Sequence, residues 1–104
     1  MVKVTSIDSE KLIEAVRIWS GWGGVAPNRN DLRLIQRLGE KDANVLLPII
    51  KRLEEDFYDS DACYVASDLE EMGQLAKRHF ATMHPDLMSD VGDVFAWCYT
   101  FDFK

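Results

Sequence analysis

Apolar residues spaced three and four apart recur along nearly the whole chain, and that beat constrains the fold more than any other feature. Leu12, Val16 and Trp19, joined by Ala15, fall on one side of a helix, because 3.6 residues per turn bring positions i, i+4 and i+7 together. The pattern returns at Leu46, Ile49, Ile50, Leu53 and Phe57, and again at Ala62, Val65, Leu69, Met72, Ala76, Phe80 and Met83. It predicts an all-α fold: a small bundle of four to five helices over residues 1–104, one domain, with short extended segments at its ends. A chain of 104 residues buries roughly 65% of its extended surface, enough for one core.

Punctuation residues divide this pattern. Asp8 or Ser9 caps the first helix, and Glu10 suits its positive amino end. Residues 20–30 hold three Gly, one Pro and two Asn, which makes them a loop. Asn28 or Asn30 starts a second helix with Leu32, Ile35 and Leu38 on one face, closed by Gly39. A third helix beginning at Asn44 would put Pro48 in its first turn, where a missing N–H costs nothing. Ser67 and Glu70 form an S-x-x-E capping box, so the next helical stretch breaks near Ala66 or runs through it. His84-Pro85 ends that stretch. Gly73 and Gly92 interrupt helical patterns and mark close helix crossings.

The carboxyl-terminal segment supports two patterns. Leu87, Val91, Val94, Cys98 and Phe101 keep a helical beat, while Phe95, Trp97, Tyr99, Phe101 and Phe103 alternate as a strand would. The helical beat covers more residues, so the expectation is a helix from Asp86 to Tyr99 followed by an extended aromatic tail. The rival strand would pair with residues 2–7, where Val2 and Val4 alternate with polar neighbours.

Charge is distributed unevenly. Residues 1–52 carry nine basic and six acidic side chains, and residues 53–104 carry three basic and twelve acidic. Between residues 53 and 76 there are eight carboxylates and no Lys or Arg. Such a field repels nucleic acid and anionic membrane and attracts basic proteins. The longest apolar run, Val45 to Ile50, is six residues, against the roughly 20 that a spanning helix needs. Charged residues interrupt the first twenty positions, so no signal-peptide core is evident and the expected location is cytoplasmic. Cys63 and Cys98 have neither CxxC nor metal-ligand spacing and are expected as reduced thiols.

Candidate sites follow from these patterns. Glu54, Glu55, Asp56, Asp59 and Asp61 crowd the carboxyl end of the third helix, where the dipole disfavours anions by up to about 1 kcal/mol each. A local rule broken in this way points to function, and the plainer reading is a solvated face. With Tyr58 among them and Trp22 as an aromatic anchor, these residues would engage a basic protein partner. Arg29, Arg33 and Arg37 line one side of the second helix; they suit an ion pairing with the acidic stretch, self-association or an anion. The glycines at 21, 23 and 24 follow a helix and lack a phosphate-loop pattern. His79 and His84 are five residues apart with Pro85 beside them, a poor spacing for a metal. Asp59-Ser60-Asp61 lacks the glycine and terminal glutamate of a calcium loop.

No nucleophile–base motif and no cofactor signature is present, so the sequence argues for a non-enzymatic interaction module: an inhibitor, an immunity-like protein or an adaptor. Two alternatives stand beside it. One is a homo-oligomer joining the basic half of one copy to the acidic half of another. The other is a small ligand- or metal-binding protein using His79 and His84.

Overall fold

The computed structural model describes residues 9–103. The expected amino-terminal arm and the Asp8 cap lie outside them. The chain forms helices α1 (Ser9–Ser20), α2 (Asp31–Leu38), α3 (Glu40–Tyr58), the single turn α4 (Ala62–Val65), α5 (Leu69–Met83) and α6 (Ser89–Asp102). There is no strand among the described residues. The all-α bundle is therefore as the periodicity predicts.

The stripes meet in one core. Leu12, Val16 and Trp19 of α1, the α3 row from Leu46 to Phe57, Met72, Ala76 and Phe80 of α5, and Val91, Val94, Phe95 and Tyr99 of α6 are all buried together. Phe57 is the hub: its ring centroid lies 5.3 Å from Phe80, 5.9 Å from Phe95 and 5.7 Å from Tyr99. Tilted and edge-on contacts of this kind add about 0.5–1.5 kcal/mol each beyond area burial. Helices α5 and α6 form an antiparallel hairpin, in which Gly73 faces Thr100 and Gly92 faces Phe80. A Cβ on Gly73 would stand 3.2 Å from Thr100 Cγ2, so this glycine does mark a close crossing; at Gly92 the nearest atom is 3.7 Å away, ordinary contact.

Four local expectations are corrected. Helix α3 begins at Glu40, not Asn44, because Gly39 at φ 90° closes α2 through its N–H to the Ile35 carbonyl and accepts from Ala43 N–H at 3.0 Å. Pro48 thus lies inside the helix, on its exposed side. It leaves the Asn44 carbonyl without its usual donor, a cost of about 3 kcal/mol that the buried stripe offsets. On α2 the residue that enters the core is Leu34, while Leu32 is 67% exposed. The cap of α5 is Asp68, which accepts from Glu71 N–H at 2.7 Å, while Glu71 returns to Ser67 N–H at 3.1 Å. The capping box is shifted by one residue, and the helical stretch does break at Ala66.

The fourth correction concerns the aromatic tail. Helix α6 starts at Ser89 rather than Asp86 and continues to Asp102, with no extended segment after Tyr99. Alternating aromatics become two ridges of a helix: Phe95, Tyr99 and Phe103 at i, i+4 and i+8, and Trp97 with Phe101 at i and i+4. Phe95 and Tyr99 fill the core, with Phe103 packed on Tyr99 at 4.8 Å. Among the described residues no helix is long and apolar enough to cross a membrane.

Candidate functional site

The acidic stretch divides by direction. Where its carboxylates turn toward other helices they are engaged. Glu54 accepts from Arg29 Nε, and the same guanidinium reaches Tyr58 Oη at 2.7 Å and Asp102 at 3.0 Å. Tyr58 in turn donates to Asp102 at 2.6 Å. Burial works against the Arg29 charge, but the hydrogen bond to Glu54, backed by Tyr58 and Asp102, outweighs it and holds the guanidinium above its ordinary pKa. Burial, then the bond to Asp102, raises the Tyr58 phenol. Asp56 bonds His84 Nε2 at 2.8 Å and lies 3.5 Å from Arg52. Glu54, Asp56 and Tyr58, expected at a partner surface, are thus fastened within the fold.

Glu55, Asp59 and Asp61 are exposed and make no ion pair among the described residues. The turn that presents them is built from within. Ser60 is buried, its hydroxyl accepts from Ala62 N–H at 3.1 Å, and its carbonyl accepts from Tyr99 Oη at 3.2 Å. Tyr99 Oη also accepts from Cys63 N–H at 3.0 Å. Burial, followed by the link to Cys63, pushes this phenol up to about 12. With Ser60 pinned inward, Asp59 and Asp61 on either side turn to solvent.

Beside them stand side chains that sequence reading missed. Tyr64 is 86% exposed and Val65 62% exposed. Val65 fits the apolar spacing, yet α4 lasts a single turn and its outer side has nothing to pack on. Tyr64 was detectable by its position off the stripe. Asp68, Glu70 and Glu71 follow on the exposed start of α5. Trp22, the expected anchor, is 42% exposed and meets Trp97 edge-on at 5.3 Å, away from the α3 end in sequence.

Elsewhere the basic half is largely committed. Arg33 donates to the carbonyls of Ile18 at 2.7 Å, Trp19 at 3.1 Å and Asn28, closing the carboxyl end of α1. Lys11 pairs with Asp42, Arg17 with Asp90 and Lys51 with Asp31. The Lys51 bond first, then one from Trp19 Nε1, lowers the Asp31 pKa. Arg37 and Lys41 make no ion pair among the described residues. The surface open to the acidic half of a second copy is smaller than the charge count suggests.

The histidines do not converge: His84 is held by Asp56, and His79 Nε2 is enclosed with no hydrogen-bond partner among the described residues. Among the described residues no three His, Cys, Asp or Glu side chains gather as a metal would need. Cys98 is buried, which raises its thiol to about 11, and Cys63 is half-buried; both are free. Compared with protein-family models, curated proteins and solved structures, the chain matches none.

Proposed function

We propose that this protein is a non-enzymatic interaction module that offers an acidic surface to a basic protein partner, as an inhibitor, an immunity-like protein or an adaptor does. The observation that carries the reading is the pairing of unneutralised carboxylates at Glu55, Asp59 and Asp61 with the exposed Tyr64 and Val65. Exposed carboxylates accelerate the encounter with a cationic surface, and an aromatic buried at the centre of an interface supplies most of the holding energy. Glu54, Asp56 and Tyr58 then act as the scaffold beneath the surface, and Trp22 serves as a second anchor beside Trp97.

Affinity capture from the native cell with wild-type protein and with an Asp59→Lys/Asp61→Lys variant tests the proposal. The expected result is a basic protein retained by the wild type alone, with an association rate that falls about tenfold or more as ionic strength rises through the physiological range. Equal retention by the reversed variant, or a rate indifferent to salt, overturns it. Light scattering of the purified protein separates this reading from a homo-oligomer, which would show a mass above the monomer at high concentration.

A further inference from the structure

Helices α5 and α6 leave an open groove of about 500 Å³ on the outer face of their hairpin, lined by Leu69, Gly73, Ala96, Trp97, Thr100 and Phe101. The cause is local. Gly73 and Ala96 contribute almost no side chain where the helices come together, while Leu69, Trp97 and Phe101 stand as larger walls. Along α5 the groove runs from Leu69 to Lys77, about 12 Å at the helical rise of 1.5 Å per residue. That is close to two turns of an opposing helix.

The two ends differ in charge. Lys77 and Asp93 form an ion pair at 2.7 Å and leave their end close to neutral. The other end opens beside Glu70 at the start of α5, with Asp68 and Glu71 exposed next to it. There α6 also finishes, its Asp102 held by Arg29 and its carbonyl end set beside the positive amino end of α5. The three exposed carboxylates Asp68, Glu70 and Glu71 leave this mouth negative in net, which favours a cationic ligand. Helix α4, which bears Tyr64, packs on α5, the helix whose first turn opens the groove at Leu69 and Glu70.

We infer that the groove receives a short amphipathic helix of the basic partner, with apolar side chains at i, i+4 and i+7 on Trp97 and Leu69 and a Lys or Arg beside Glu70. The inference rests on the acidic-surface reading and specifies its apolar half. Recognition of an amphipathic helix by a groove uses this spacing of anchors.

The probe is a synthetic peptide of three helical turns with Leu at i, i+4 and i+7 and Lys at the remaining outer positions, paired with a twin in which every Lys is Glu. Each is titrated into the full-length protein and followed by amide chemical shifts and tryptophan fluorescence. The expected result is binding of the basic peptide at least about tenfold tighter than its twin, with shifts at Gly73, Ala96 and Trp97. Gly73→Leu fills the groove and should abolish those shifts. Because its Cβ crowds Thr100, Glu70→Lys serves as the second variant, weakening the basic peptide several-fold without entering the hairpin. Equal affinity for both peptides, or no shift at the groove, overturns the inference. Shifts confined to residues 55–65 overturn it while leaving the acidic surface in place. Groove shifts that grow with protein concentration alone make a second copy the occupant, which also overturns it.

Discussion

Two connections in this protein, each carrying polar residues between helices, have opposite fates. Residues 21–30 join α1 to α2, and residues 59–68 join α3 to α5 through the single turn of α4. The first is fastened from inside. Gly21 takes φ 78°, and a Cβ there would lie 3.2 Å from the Arg33 guanidinium, so this glycine allows both the turn and the arginine that closes α1. Asn28 N–H donates to Ser20 at 2.8 Å, Asn30 N–H to Trp19 at 2.9 Å, and Arg29 crosses to α3 and α6. The second connection has inward ties through Ser60 to Tyr99 and buries Ala62, but turns Asp59, Asp61, Tyr64 and Val65 to water. Arginine forks can reach several acceptors at once, whereas a segment of carboxylates with no cation nearby has only solvent or a partner to turn to. Polarity becomes structure in one place and surface in the other.

Removing Arg33 should have the largest effect on this contrast. Arg33→Ala strips the Ile18 and Asn28 carbonyls of this donor and leaves the Trp19 carbonyl with Asn30 N–H alone, and we expect a loss of about 3 kcal/mol, read as a lower urea midpoint at unchanged slope. Arg29→Met should follow at about 2 kcal/mol, since it strands Glu54 and Asp102 near each other but leaves both partly in water. A loss below about 0.5 kcal/mol for either arginine would erase the claim that the first connection is a fastening. Tyr99→Phe tests the second connection from beneath. It deprives Cys63 N–H and the Ser60 carbonyl of a partner at a cost of about 1 kcal/mol, with earlier hydrogen exchange at residues 60–65. Asp59→Lys/Asp61→Lys should change stability least, by no more than about 0.5 kcal/mol. A substantial thermal shift in that variant would mean the two carboxylates serve the fold.

Much of the architecture was legible in particular residues. Leu12, Val16, Trp19, Leu53, Phe57, Ala76 and Phe80 are buried where their spacing put them, because a helix must bring residues three and four apart onto one face. The stops at Gly39 and His84-Pro85 also hold, being set by local backbone preference. Errors gathered where two local rules competed. At Pro48 the rule for proline position lost to the burial of Ala43 and the turn at Gly39. Along residues 95–103 an alternating aromatic pattern fitted strand and helix alike, and packing on Phe57 and Tyr58 selected the helix.

Of the candidate site, the stretch of carboxylates was visible as composition, but composition has no direction. The amino-acid order alone determined that this chain would be helical, where most of its core would come from, and that its second half would be negative, since each depends on spacing or on charge count. Only the tertiary structure decided which acids were already held. Glu54 and Asp56 meet Arg29 and His84 across 25 and 28 positions of chain, and contacts at that separation exist only once helices have docked. The same docking turned Ser60 inward and left Asp59, Asp61 and Tyr64 facing water.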